Sequence, residues 1–178
     1  FVLLSVGELN ENKNHETIIR AIAELGDPSI RYWIAGTGDA RPQLERVIRE
    51  TNLTNQVQLL GFRDDVFEVM KAADCFVFPS KREGLGMAAL EAMAAGLPII
   101  TSNVHGINDY SVDGVTGFKC APNDIQGFAR AIRTMRLDFE LSHQMGLHNS
   151  QSAKAFDVER SHEEMKQIYD TFRNRRPS

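Results

Sequence analysis

The sequence predicts an α/β fold: a Rossmann-like doubly wound parallel sheet with helices at its C-terminal end. Short β-rich runs alternate with segments of helical period through most of the 178 residues, the pattern of a parallel sheet covered on both faces. Five of the six β-rich runs are near-continuous apolar stretches, as strands buried on both faces should be. The length fits one domain, so residues 1–178 are read as a single unit with 138–178 as its helical tail.

In chain order, the first strand is Val2 to Val6, followed by a helix whose stripe is Ile18, Ile22 and Leu25. A strand over Arg31 to Ala35 precedes a helix with Leu44, Val47, Ile48 and Thr51 on one face. The third strand is Val57 to Leu60, and Asp64 is the expected N-cap of a helix carrying Val66, Phe67, Val69 and Met70. Cys75 to Phe78 forms the fourth strand, and a helix from Gly86 to Ala95 is closed by Gly96. Strands at Pro98 to Thr101 and Gly117 to Cys120 follow, and Asn123 or Asp124 caps the clearest helix, striped by Ile125, Phe128, Ala129, Ile132 and Met135. From Asp138 the pattern is helical, weak to Ala155 and better through Val158, Met165, Ile168, Tyr169 and Phe172, with a basic, frayed tail from Arg173 to Ser178.

An apolar fraction of 42% and a charged fraction of 25% argue against disordered, collagen-like and disulfide-rich classes. A net charge of -4 provides no basic field for a phosphate backbone, so no nucleic-acid partner is expected. The two cysteines, Cys75 and Cys120, lie in strand-like apolar runs and read as buried thiols in a reducing compartment. Glu91 and Pro98 interrupt the most apolar stretch, Gly84 to Ile100, leaving it short of the roughly 18 apolar residues of a membrane span. Phe1 opens directly inside an apolar run, which reads as a piece of a longer protein. His143 and His148 share no helix face with a third ligand, and no metal is assigned; His15 and His105 read as structural or solvated.

In a doubly wound fold the ligand lies outside the carboxyl ends of the strands, here the loops after Val6, Ala35, Leu60, Phe78 and Thr101. The loop after Phe78 reads Pro79-Ser80-Lys81-Arg82-Glu83-Gly84-Leu85-Gly86-Met87 and runs into a helix. Glycines at a helix start let the backbone approach a ligand, and the free first-turn N–H groups favour an anion. From the glycines alone, a plain helix start with glycine as a turn residue is the favoured reading. Glu91 lies in a helix apolar on every side, which predicts a buried carboxylate that needs a partner. Two acceptors, Glu83 and Glu91, then flank one anion site, an order that suits a nucleotide sugar: ribose diol, diphosphate, sugar hydroxyls. A structural ion pair for Glu91 stays open beside that reading.

The two glutamates with seven residues between them, inside the segment Phe78 to Pro98, resemble the signature of glycosyltransferase family 4, retaining enzymes of the GT-B fold. The resemblance extends through Val6-Gly7, Gly36-Thr37-Gly38, Leu60-Gly61-Phe62, Asp113 to Phe118 and Pro122-Asn123-Asp124, and corresponds to the C-terminal, donor-binding half. It implies transfer of a hexose from a nucleotide sugar, a UDP-sugar ahead of a GDP- or ADP-sugar, to a glycan or lipid-linked acceptor. It implies no metal or other cofactor. By resemblance, Glu83 contacts the donor sugar, Lys13 pairs with the diphosphate, and the backbone of Gly84, Leu85, Gly86 and Met87 holds it. Glu91 takes the ribose hydroxyls, and Gly7 belongs to the donor-binding residues. The Gly61, Phe62 and Arg63 loop lines the base, and Gly106 and Asp109 approach the sugar, with Asp109 where a glutamate is common.

The acceptor domain would lie in a missing N-terminal half, so this chain alone is expected to bind nucleotide and to transfer little. The implied setting is cytoplasmic, at the inner face of the plasma membrane, with peripheral membrane association of the full-length protein. One departure stands out: Glu8 occupies a place where the family usually has an arginine, and Gly7-Glu8-Leu9 is similar to a branch associated with bacterial capsular and exopolysaccharide assembly. Lys81 or Arg82 is then the candidate second cation. An epimerase of the same fold and a non-catalytic nucleotide-binding or structural module are the competing readings.

Overall fold

The computed structural model describes residues 1–156. Six parallel strands form one sheet: β1 (Val2–Val6), β2 (Arg31–Ala35), β3 (Val57–Gly61), β4 (Cys75–Phe78), β5 (Ile99–Ser102) and β6 (Gly117–Cys120). Their order is β3-β2-β1-β4-β5-β6, the doubly wound arrangement that the alternating pattern predicts. Helices α1 (His15–Leu25), α2 (Arg41–Glu50), α3 (Val66–Lys71), α4 (Met87–Ala94), α5 (Ile125–Leu137) and α6 (Phe139–Ser152) cover it. Two short 3-10 turns, Ile107–Asp109 and Ala153–Phe156, complete the described residues. The helical pattern from Val158 to Phe172 and the basic tail lie outside them.

Successive strand side chains face opposite ways, and the core divides accordingly. Leu3, Tyr32, Ile34, Cys75, Val77 and Ile100 pack beneath α1, α2 and α5. Leu4, Phe76, Phe78 and Ile99 pack on the other face, against α4. Both cysteines are buried and unpaired.

Several expected boundaries move. β5 begins one residue after Pro98, and α4 begins at Met87 because Gly86 is its left-handed N-cap. Asp65, not Asp64, precedes α3, and its carboxylate binds Arg63 instead of capping the helix. Asp124 caps α5 by accepting from Gly127 N at 2.8 Å. At the far end of the sheet, Gly146 of α6 lies against the Gly96 carbonyl, and buried Asn149 donates to Leu97 O and Thr116 O, each at 2.8 Å.

A buried polar cluster interrupts the first core layer. Ser5 Oγ donates to Val77 O at 2.6 Å and meets Tyr32 Oη at 2.8 Å, and that phenol lies 3.2 Å from His15 Nδ1. Burial, opposed by the Glu8 carbonyl and reinforced by Lys13, lowers the His15 pKa to about 4. The folded state therefore resists a proton that the unfolded chain accepts near pH 6.5, and stability falls as pH drops through that window. Between pH 7 and pH 5 the chain is expected to lose on the order of 2 kcal/mol from this group. Denaturant unfolding at the two pH values measures it, and His15→Gln should flatten this part of the profile.

Candidate functional site

The sheet's strand order reverses between β1 and β4, whose following loops leave in opposite directions and open a crevice. The two loops are laced across it. Asn14 Nδ2 donates to Pro79 O at 3.1 Å and to Pro122 O at 2.7 Å; Asn12 Nδ2 donates to Arg82 O at 3.0 Å. Lys81 N donates back to Asn12 O at 2.8 Å. Asn14 is left-handed at φ 55°, a conformation asparagine tolerates, and this turns the chain into α1.

That lacing places Lys13 opposite Glu83. Lys13 Nζ lies 2.5 Å from Glu83 Oε1 and 4.7 Å from the centroid of the Phe78 ring. The two side chains are 20% and 11% exposed, so water screens the pair only in part. Gly7 provides the surface for the lysine stem, since a Cβ there would stand 3.3 Å from Lys13 Cε.

Immediately after Glu83 the backbone presents donors. Among the described residues, the N–H groups of Gly84, Leu85 and Gly86 donate to no backbone acceptor, and they sit at the positive end of α4. The glycines differ in their reasons. Gly86 needs its left-handed φ of 75°, and a Cβ would come within 2.8 Å of Phe78 Cε1 and Tyr110 Oη. Gly106, at φ 80°, brings its Cα so close to the next loop that a Cβ would stand 1.8 Å from Gly84 O. Around Gly84 there is open space. No neighbouring atom in the described residues requires a glycine there.

Tyr110 closes the floor of this loop, with its hydroxyl 3.4 Å from Gly86 O. Burial raises its phenol pKa, with Glu83 and Asp109 adding to the shift. Beyond Glu83 a cleft of about 510 Å³ opens between loops 81–83 and 103–108, lined by Arg82, Glu83, His105 and Asn108. Asp109 and His105 are both exposed.

The exposure of Glu91 is the reverse of the sequence expectation. Glu83 is nearly buried and paired, whereas Glu91 is exposed and has no partner among the described residues. Helix α4 buries only Ala89, Leu90, Ala92 and Met93; Met87, Glu91 and Ala94 form its open face. Alanine is a strong helix former and carries little burial drive, so an alanine-rich helix looks more buried than it is. The structural ion pair for Glu91 is likewise absent among the described residues.

Gly61, Phe62 and Arg63 stand at the β3 end of the same edge. Gly36 N donates to Gly61 O at 2.7 Å, and a Cβ on Gly36 would lie 1.8 Å from Gly7 O, so three strand-end loops touch through glycine backbones. Phe62 is 80% exposed, and the Arg63 guanidinium is held by Asp65. Glu8 is exposed and accepts from Asn10 Nδ2, and Lys81 is turned to Glu11. Arg82 makes no ion pair among the described residues. Sequence reasoning missed Phe78 as the wall behind Lys13, the two lacing asparagines and Tyr110. Asn12 and Asn14 flanking Lys13 were a usable signal; Tyr110 had none.

The family model described as Glycosyl transferases group 1 matches residues 1–151. EpsD of Bacillus subtilis (strain 168) is 35% identical over 174 residues, covering 97% of this chain and 46% of EpsD. The lipopolysaccharide core biosynthesis glycosyltransferase LpsE of Rhizobium meliloti (strain 1021) is 33% identical over 140 residues, covering 79% and 41%. The crystal structure of Anabaena Alr3699/HepE in complex with UDP matches at a TM-score of 0.91 and 25% identity, over 96% of this chain and 49% of that one. HepE has also been solved with UDP-glucose. The chain thus spans about half the length of the curated relatives it matches.

Two loop glycines test this geometry. Gly106→Ala is expected to cost about 1–3 kcal/mol, from the positive φ and the backbone clash. Gly84→Ala, with open space around it, should stay within about 0.5 kcal/mol of the parent. Thermal or denaturant unfolding of both variants reads the contrast, and equal costs would contradict the described loop packing.

Proposed function

Because this chain belongs to the group 1 glycosyl transferases, we propose that it is the donor-binding half of a retaining GT-B hexosyltransferase. In this reading the ligand is a nucleoside diphosphate sugar, a UDP-sugar ahead of a GDP- or ADP-sugar. The observation that carries it is the coincidence, at the β1/β4 switch point, of Lys13, Glu83 and the free amides of Gly84, Leu85 and Gly86.

The diphosphate sits on those amides and the Met87 N–H at the start of α4, where backbone dipoles meet negative charge. Lys13 adds the full cation. When the bond from the sugar's anomeric carbon to the phosphate oxygen breaks, the oxygen gains charge, and fixed donors stabilise it without reorganising. The amides and the ammonium do this work in place of a metal ion. Glu83 accepts from sugar hydroxyls and fixes the ring's orientation, with Gly106 and Asp109 on the sugar's far side. Glu91, about one turn into α4, takes the ribose hydroxyls; its exposure suits a contact made only when ligand is present. Gly61, Phe62 and Arg63 border the base.

The acceptor, a glycan or lipid-linked saccharide, is held by a second domain, and transfer follows closure of the two halves. Such an acceptor places the full-length protein at the cytoplasmic face of the plasma membrane. The similarity to EpsD and LpsE supports a role in polysaccharide assembly.

Calorimetric titration of the chain with UDP, GDP and ADP, each alone and as its sugar conjugate, tests the reading. Binding of at least one conjugate is expected; no binding to any at millimolar ligand would sink the donor site. Glu91→Ala should weaken the ribonucleotide by roughly 10- to 100-fold, the size of charge-assisted bonds to a diol, and should erase its preference over the 2′-deoxy form.

A further inference from the structure

We propose that Glu83 is a specificity-determining residue that sets the site against free nucleoside diphosphate and in favour of the intact sugar conjugate, by competing with the terminal phosphate for Lys13. The proposal rests on the donor-site reading above.

Lys13 faces Glu83, the residue just before the free amides, and its ammonium is already engaged, 2.5 Å from Glu83 Oε1. Both side chains are largely shielded, at 20% and 11% exposure, so the competition is weakly screened. The Phe78 ring closes one side of the ammonium, and no other carboxylate pairs with it among the described residues. Glu83 leads directly into the amides of Gly84 to Gly86, which have no backbone acceptor among the described residues, and in the donor-site reading the diphosphate seated there pairs with the same ammonium. Two anions then share one cation.

The two ligand forms differ in how they resolve this. In the free nucleotide the terminal phosphate carries close to two charges at pH 7, because its last ionisation lies near pH 6. It offers Glu83 no donor, so the carboxylate loses its share of Lys13 and gains a like-charged neighbour. In the conjugate that phosphate is esterified and carries one charge fewer, and the sugar hydroxyls can donate to Glu83. The carboxylate exchanges one partner for another instead of losing one. After transfer, the nucleotide product is left facing Glu83 uncompensated, which favours its departure.

The test compares wild type with Glu83→Gln, titrated with UDP and UDP-glucose, GDP and GDP-mannose, and ADP and ADP-glucose. For whichever pair binds, the variant should bind the free nucleotide roughly fivefold tighter or more, the size of one charge-assisted contact. It should bind the conjugate no tighter, so the preference for conjugate collapses. In a Lys13→Gln background the same change should give no gain. A gain of affinity cannot be mimicked by a poorly folded variant, and Glu83→Ala is the second carboxylate-free form. If wild type binds and neither variant gains free-nucleotide affinity, the competition is refuted and the donor site stands. If wild type binds none of the six ligands, the donor-site reading and this proposal fall together.

Discussion

The structure depends on a split in the middle of its sheet. The ladder between β1 and β4 covers only Leu3 with Cys75 and Leu4 with Phe76, whereas β1 pairs with β2 along its whole length. Above that short ladder the Ser5 hydroxyl reaches Val77 O, and then loop-to-loop bonds from Asn12, Asn14 and Lys81 take over. The backbone polar groups at a parting sheet still need partners. Side chains supply them here, and so a lysine and a glutamate 70 positions apart in sequence meet at 2.5 Å. The same requirement explains a serine, a tyrosine and a histidine within an otherwise apolar core layer: each polar group there serves another.

The fold was legible because it rests on signals that act locally. Apolar runs such as Cys75–Phe78 mark strands buried on both faces, and the Ile125, Phe128, Ile132 spacing marks a helix with one buried side. Asp124 as a cap and Gly96 as a stop follow from backbone chemistry within a few residues. Errors arose where a nearby residue offered a competing partner. The expected cap was Asp64, but the helix starts one residue later, and Asp65, which stands at its N-cap, gives its carboxylate to Arg63.

The site was legible in its members more than in its geometry. Glu83, Lys13 and the glycine loop were named as candidates, and the structure brings the first two together, but their burial was not anticipated, because burial depends on elements far apart in sequence. Glu83 reads as a loop residue among Lys81, Arg82 and Gly84, and only the asparagine-laced loop after β1 covers it. Glu91 reads as a core residue because its neighbours are alanines. Composition cannot distinguish an alanine that fills a core from one that merely sustains a helix. The glycines were equally opaque: Gly36, Gly86 and Gly106 are fixed by backbones or rings that approach from other loops, whereas Gly84 is fixed by nothing in the chain.

That difference bears on how an acidic chain, at a net charge of -4, can offer an anion a place at all. Bulk charge works against it, so attraction must come from groups placed at short range. In the proposed site, three amides that have no backbone acceptor among the described residues and one lysine held on an aromatic face would supply it, each held by the fold before any ligand arrives. Holding Lys13 in place requires a carboxylate beside it, because a half-buried ammonium with no partner would be costly. Preorganising the cation and partly neutralising it are therefore one structural act. A site built this way gains rigidity and gives up some affinity for any anion that cannot offer the carboxylate a new partner.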